Sequence, residues 1–217
     1  MIPARLPIGR LHVITDTRIQ DRFGHVELAR MAVAGGATVI QIRDKQLTDA
    51  ELASVAKHVL AACRAAGAAL IVNDRIEVAA RAGADGVHLG RKDAPIVEAR
   101  RALGPDAIIG GSAGTADEAV EAARAGADYV GFGHVYPTST KNKPGPPVGL
   151  EGLALACSAI EIPVIAIGGI TEESTAGALA AGAWGVAVAG AVCAAGDPEA
   201  AARALASCIA TIHGDAS

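Results

Sequence analysis

Three short stretches carry the residue types with which this chain could do chemistry. The first is Gln41-Ile42-Arg43-Asp44-Lys45. Along an extended strand, positions two apart share a face, so Gln41, Arg43 and Lys45 lie together while Ile40 and Ile42 point the other way. Two cations and an amide are costly to bury without an anion, which points to phosphate binding. The plainer alternative is a solvated strand end in which Arg43 pairs with Asp44. The second stretch is split over two neighbouring runs: Asn73-Asp74 ends one, and "GVHLGRKD" puts His88 inside the next and Asp93 just beyond it. Two carboxylates on adjacent strand ends can hold Mg²⁺ through oxygen ligands and waters while the ion bridges a diphosphate. Either aspartate could instead cap a helix, since Asp93 stands two residues before Pro95. His88 is a candidate ligand contact, although a lone histidine in an apolar strand is more often a hydrogen-bonded core residue.

The third stretch, "YPTSTKNKPGP" from Tyr136 to Pro146, sets hydroxyls and lysines in a row between prolines. Thr138, Ser139, Thr140 and Lys141 suit an anion; a wet loop is the alternative. His134 precedes it by two residues. Further on, Gly168-Gly169-Ile170-Thr171 and Ala189-Gly190-Ala191 follow two later apolar runs. Small residues there let backbone amides approach a ligand. Two phosphate-grade sites emerge, and the Thr138–Lys141 loop leaves the chain between them: Lys141 can serve one anion, Thr138 and Thr140 the other.

The elements that must position these groups form a repeat. Short β-branched runs alternate with Ala-rich segments of helical period. The candidate strands are "LHVITD", "TVIQIRD", "ALIVND", "GVHLG", "AIIGGS", "YVGFGHVY", "VIAIGGI" and "GVAVAGAV". Thr48-x-x-Glu51 and Thr115-x-x-Glu118 read as capping boxes, and Asp197-Pro198 as an N-cap followed by proline at the first helical position. The junctions "AGGATV", "AGAALI", "AGADGV", "AGADYV" and "AGAWGV" place glycine where a helix ends in the left-handed region and turns into a strand. Eight strands, each followed by a helix, predict a closed (β/α)8 TIM barrel, an α/β fold with one domain over 1–217; an open doubly wound sheet is the alternative. In such a barrel the active site forms at the carboxyl ends of the strands, where all the residues above fall, with Ser112 ending the fifth.

Composition narrows the function classes. Of 217 residues, 51% are hydrophobic, 19% charged and 2% aromatic, which excludes a disordered chain and calls for a core of small aliphatics. A formal net charge of -4, with no basic stripe, argues against nucleic acid. No apolar run approaches the ~18 residues of a membrane span, and the prolines and arginines at the start do not make a signal peptide. The four cysteines, Cys63, Cys157, Cys193 and Cys208, lack C-x-x-C spacing and read as reduced thiols in helices. The expectation is a soluble, cytoplasmic protein acting on small phosphorylated molecules, with a homo-oligomer left open.

"QIRDK", "ND", "DGVHLGRKD", "PTSTK" and "IGGIT", in this order and at these intervals, resemble the thiamine phosphate synthase (thiamine-phosphate pyrophosphorylase) family from about Leu11 to Ala191. The resemblance implies a (β/α)8 barrel that joins hydroxymethylpyrimidine diphosphate to thiazole phosphate with the help of Mg²⁺. It implies that Gln41, Arg43, Lys45, Asn73 and Lys141 contact the pyrimidine diphosphate, that Asp74 and Asp93 bind Mg²⁺, and that Ser112 touches the pyrimidine. Thr138, Ser139 and Thr140 would line the thiazole phosphate site, closed by backbone around Gly169, Ala189 and Gly190. The implied chemistry is dissociative: diphosphate leaves, and the thiazole nitrogen captures a pyrimidine-methyl cation. Arg43, Lys45 and Lys141 would stabilise the departing charge.

Three positions depart from the pattern. Arg91 stands where the family usually has glutamine, Gly114 where it often has histidine, and "AVAGAV" lacks a common serine after the eighth strand. A sister family on the same barrel, the thiazole tautomerases, moves a proton on a carboxylated thiazole phosphate, and His134 in "FGHVY" resembles its acid/base histidine. A barrel that binds a thiazole or thiamine phosphate without turnover is the remaining alternative. Lys45, Asp74, Asp93 and Lys141 favour the synthase, because a tautomerase has no use for a second anion site with a metal.

Overall fold

The computed structural model describes residues 8–138 and 145–214, apart from the side chain of His213. Eight parallel strands close in sequence order into a barrel: β1 (Leu11–Thr15), β2 (Val39–Ile42), β3 (Ala69–Asn73), β4 (Gly86–Leu89), β5 (Ile108–Ala113), β6 (Tyr129–Phe132), β7 (Val164–Ile167) and β8 (Gly185–Val188). The (β/α)8 expectation holds and the open sheet does not, because β8 pairs with β1 through Leu11–Val186 and Val13–Val188. The outer ring is α1 (His25–Ala34), α2 (Asp49–Ala65), α3 (Ile76–Ala82), α4 (Ile96–Leu103), α5 (Ala116–Arg124), α6 (Gly149–Ala159) and α7 (Glu172–Ala180). After β8 come a short turn of helix, α8 (Gly190–Cys193), and the long α9 (Pro198–His213). Among the described residues no helix is long and apolar enough to cross a membrane.

The strands read as continuous apolar runs because both faces are covered. One set of side chains, including Val13, Ile40, Ile42, Leu70, Val72, Val130 and Val186, packs outward against the helices. The alternate set, with Ile14, Val39, Ile71, Ile108, Tyr129 and Ile165, fills the barrel itself. On the second strand Ile40 and Ile42 lie in the outer layer and Gln41 and Arg43 face the cavity at the barrel mouth, as expected. Lys45, expected on the same face, is not part of the cavity wall and pairs with Asp74. At the opposite end, Arg10 stacks 3.8 Å over the Trp184 ring and donates to its carbonyl, while Trp184 Nε1 donates to the Ile8 carbonyl.

The local signals act mostly as the sequence predicts. Thr48 and Glu51 form a reciprocal capping box at α2, and the Asp197 side chain accepts from Ala200 N ahead of Pro198. Gly36, Gly67, Gly83, Gly126 and Gly182, one in each repeated junction, all have φ between 66° and 100°. All four cysteines are free and lie in helices. Two expectations are corrected. Thr115 accepts from Glu118 N, but the Glu118 carboxylate does not return the bond; it bonds Gly114 N at 2.7 Å and pairs with Arg91. The eighth predicted strand is too long, since Gly190–Cys193 coils into helix at the rim.

Glycine serves two different needs, which stability measurements separate. At Gly67 (φ 69°) a Cβ meets nothing within 4 Å, so Gly67→Ala costs only backbone strain, about 1 kcal/mol. At Gly86 a Cβ falls 1.8 Å from the Ile108 carbonyl oxygen, so Gly86→Ala forces β4 and β5 apart. Chemical denaturation is expected to show a loss of about 3 kcal/mol for Gly86→Ala, the upper end of overpacking costs.

Candidate active site at the carboxyl ends of the strands

A cavity of about 320 Å³ opens at the carboxyl ends of the strands. Its wall includes Gln41, Arg43, Asn73, His88, Ser112, His134, Thr138, Gly169, Ala189 and Gly190, all named from the sequence, and Asp16, which was not. Ser139, Thr140 and Lys141 lie outside the described residues.

Arg43 follows the last residue of β2, its amide bonded to the Thr15 carbonyl at 3.0 Å. Only 8% exposed, its guanidinium needs a counter-charge, and the sequence offered Asp44. The structure supplies Asp16 instead: Arg43 Nη1 pairs with Asp16 Oδ2, and Arg18 grips the same carboxylate through Nε at 3.1 Å and Nη2 at 2.9 Å. Burial alone would raise the Asp16 pKa, but the bonds from Arg18 and the charge of Arg43 outweigh it and hold the pKa down. Arg43 Nε is left buried without a partner. The side-chain amides of Gln41 and Asn73 and the ring of His134 also find no hydrogen bond among the described residues. Polar groups facing one cavity, unsatisfied by protein, are what a ligand completes.

Asp44 has a different task. Its Oδ1 accepts from Gln46 N at 2.7 Å and Leu47 N at 2.8 Å, and its Oδ2 meets His25 Nε2 at 3.1 Å and Thr17 Oγ1 at 3.3 Å. His25 in turn bonds Thr15 Oγ1 at 2.9 Å, and Arg75 Nη2 donates to the Asp44 carbonyl at 3.0 Å. The loop bearing Arg43 and Lys45 is thus fastened to β1, α1 and the start of α3. Burial works against the Asp44 charge, yet the bonds from Leu47 N, His25 and Gln46 N bring its pKa down to about 2.

Asp74 and Asp93 meet at the rim with Lys45. Asp74 has φ 65°, a left-handed conformation costly for any residue with a side chain and easiest for Asn and Asp. Its amide bonds the His88 carbonyl at 2.8 Å, and its carboxylate pairs with Lys45. Asp93 closes a turn on Gly90, accepting from Gly90 N at 2.7 Å. Neither aspartate caps a helix: α3 starts from Arg75 and α4 from Pro95. The Asp93 pKa is raised by burial first and by the touching Asp74 carboxyl second. Among the described residues no cluster of three or more His, Cys, Asp or Glu is poised for a metal, so a cation here would find only the two carboxylates and would draw its other ligands from water or substrate.

The far side of the cavity is made by backbone. Gly168 and Gly169 have φ 95° and 69° in succession, and Cβ atoms there would fall 2.3 Å from His134 Cβ and 2.4 Å from the Pro137 carbonyl oxygen. Both curvature and close approach demand glycine, so this is more than a loose turn. Arg91, the departure beside Asp93, is tied off by Glu118, whose other oxygen holds Gly114 N at the end of β5.

This ordered set of rim residues, on a barrel closed in this way, coincides with a family match over residues 11–192, described as thiamine monophosphate synthase. The chain belongs to that family. A thiamine-phosphate synthase of Salinibacter ruber is 49% identical over 199 residues, covering 91% of this chain and 88% of that protein. One from Methanoculleus marisnigri is 49% identical over 195 residues, covering 90% and 92%. A solved thiamine phosphate pyrophosphorylase from Pyrococcus furiosus superposes with a TM-score of 0.85 at 39% identity, over 94% of this chain and 96% of that one.

Sequence reasoning missed Asp16, Arg18 and His25. A signal was available for Asp16, since "LHVITD" ends in an acid just as "ALIVND" does. Arg18 and His25 carry none, because only the fold brings them near β2. Asp44 also sets an acid limit. A carboxyl with a folded pKa near 2 and an unfolded value of about 3.9 stabilises above pH ~4, and that stabilisation is lost as pH falls through the folded value. Acid titration of unfolding stability is expected to drop between pH ~4 and ~2 in the native chain, and to be flatter over that window in Asp44→Asn.

Proposed function

We propose that this chain condenses 4-amino-2-methyl-5-hydroxymethylpyrimidine diphosphate with 4-methyl-5-(2-phosphoethyl)thiazole, or its carboxylated form, giving thiamine phosphate and diphosphate, with carbon dioxide also released when the carboxylated form is used. The observation that carries the reading is the buried, unpartnered Nε of Arg43 beside the unbonded amides of Gln41 and Asn73. A buried donor left unsatisfied costs about 1–3 kcal/mol, and a diphosphate oxygen would remove that cost. Family membership supports this choice of substrates.

The pyrimidine diphosphate is assigned to the β2–β4 side, with Gln41, Arg43, Lys45 and Asn73 around its phosphates and His88 and Ser112 toward its ring. The thiazole phosphate is assigned to the β6–β8 side, with Thr138 and the backbone at Gly169, Ala189 and Gly190, where barrels of this class bind phosphate. Ser139 and Thr140 at the thiazole phosphate and Lys141 at the pyrimidine diphosphate rest on the resemblance. Asp74 and Asp93 fit Mg²⁺, being hard oxygen donors pressed together at a rim that already holds a lysine. Bound there, Mg²⁺ would supply charge neutralisation of the diphosphate.

In the reaction the bond between the pyrimidine methylene carbon and the diphosphate oxygen breaks, its electron pair leaving with diphosphate. The thiazole nitrogen lone pair then forms the new carbon–nitrogen bond. No proton passes between the partners, which agrees with a wall that offers cations and donors and no activated nucleophile. Arg43 and Lys45 stabilise the leaving charge, and His134 holds a polar atom of substrate between the two halves. Orientation does the rest, since a misplaced thiazole loses the cation to water.

Purified protein with both substrates and Mg²⁺ is expected to form thiamine phosphate, followed by chromatography, and to stop in excess EDTA. Folded protein that forms none rejects the reading. Turnover of a carboxylated thiazole phosphate that persists in EDTA and vanishes in His134→Ala identifies a tautomerase instead. The metal assignment has a test without turnover. Because the Asp93 carboxyl is partly buried against that of Asp74, which makes its charge unfavourable, Asp93→Asn is expected to raise the metal-free melting temperature, by roughly 2–4 °C per ~1 kcal/mol relieved. The same substitution removes the upward shift that Mg²⁺ gives the native chain.

A further inference from the structure

We propose that Tyr129 fixes the direction of a buried hydrogen-bond chain ending at Ser112, so that the Ser112 hydroxyl is an obligatory donor into the cavity. Three neighbouring strands build the chain. Tyr129 on β6 places its hydroxyl 3.1 Å from His88 Nδ1 on β4, and His88 Nε2 lies 2.8 Å from Ser112 Oγ on β5. Tyr129 is 1% exposed, sits among Ile14, Ile71 and Ile165, and has no second hydrogen-bonding partner among the described residues.

The direction follows from counting protons. An imidazole carries its proton on Nδ1, on Nε2 or, when charged, on both. On Nδ1, it would donate to the tyrosine oxygen and strand the phenolic hydrogen in an apolar surround, an expensive arrangement. The nearby His12 gives that hydrogen no outlet, since it meets the Tyr129 ring edge-on at 5.2 Å and spends its Nε2 on the Gly9 carbonyl. The phenol therefore donates to His88 Nδ1, and burial, which pushes its pKa up, keeps it protonated. The imidazole proton is then on Nε2 and donates to Ser112 Oγ. The serine hydrogen has to point elsewhere. Ser112 has no other partner among the described residues and lines the cavity, so its hydrogen is offered to substrate.

The strands give up packing to keep this chain. A Cβ at Gly110 would fall 2.4 Å from His88 Nδ1 and 2.5 Å from the Tyr129 hydroxyl, and one at Gly131 would fall 2.9 Å from His88 Cε1. Neither glycine has positive φ, so room for the two rings, not backbone curvature, is what glycine supplies there. Tyr129 is a positioning residue, acting through His88. For specificity, the substrate atom that takes the Ser112 hydrogen is an acceptor. On the pyrimidine assigned above, on which this last step rests, that is a ring nitrogen and not the amino group.

The direct test is ¹⁵N NMR of the histidine side chains in the native protein, with His88 assigned by comparison with His88→Asn. The expected signature is a proton on Nε2 and a bare Nδ1; a proton on Nδ1 overturns the proposal. The kinetic test is Tyr129→Phe, alone and in a Ser112→Ala background. Tyr129→Phe is expected to give His88 a mixed tautomer and to raise the KM for the pyrimidine diphosphate roughly tenfold, the worth of about one hydrogen bond, with the thiazole phosphate KM unmoved. In Ser112→Ala the same change is expected to add nothing. An unmoved pyrimidine KM, or an equal loss in both backgrounds, overturns the positioning role. A native enzyme that makes no thiamine phosphate fails the reaction proposed above instead, and the NMR result then decides the direction of the chain alone.

Discussion

A guanidinium sunk into a barrel mouth has to be neutralised, and the Asp16–Arg43 pair is the interaction on which the rest of this site depends. Removing one partner from such a pair leaves an uncompensated buried charge, a far larger penalty than the pair's own net gain. Asp16 sits at the end of β1 and Arg43 just past β2, so the pair also fixes these neighbouring strand ends relative to one another. Asp16 spends its charge on two arginines and leaves one edge of Arg43, at Nε, unfilled. Asp44, relieved of that duty, is free to fasten its own loop through two backbone amides and His25. Lys45 is thereby carried to the paired carboxylates of Asp74 and Asp93.

Volume is the second constraint. The inside of an eight-stranded barrel is just wide enough for side chains to fill. Placing histidines and a tyrosine there requires the neighbouring strands to yield space, which they do with Gly110 and Gly131. At the rim, Gly168 and Gly169 yield it again, this time to the backbone that follows β6. An aromatic content of only 2% belongs to the same economy of space, since one buried Tyr129 already occupies much of the barrel interior.

The barrel was legible because its signals are local and repeated: a β-branched run, a capped helix and a left-handed glycine return around the chain. Most of the cavity wall was legible too, because the end of each strand must face the mouth. What escaped were contacts set by closure. Nothing near Arg43 in sequence says that its counter-charge lies on β1, so Asp44 was the one protein partner weighed, as the alternative to an anion, and Asp16 takes that place. Glu118 shows the same limit: spacing to Thr115 predicted a capping box, but the fold brings Gly114 N and Arg91 within reach and they win the carboxylate. His88 was undecided between core and ligand contact; it is hydrogen-bonded to Tyr129 inside and to Ser112, and it lines the cavity.

Beneath the cavity the barrel is filled by the ring of Tyr129 with its aliphatic neighbours, and the cavity wall rises from Ile14 and Ala187 to the carboxyl ends of the strands. Among the described residues, the way into this cavity lies at those carboxyl ends. Whatever settles deepest has to arrive before its companion and depart after it, and a finished molecule still in place stands in the way of the next arrivals. Clearance of the threshold, rather than bond making, is then a natural pacemaker for such a vessel.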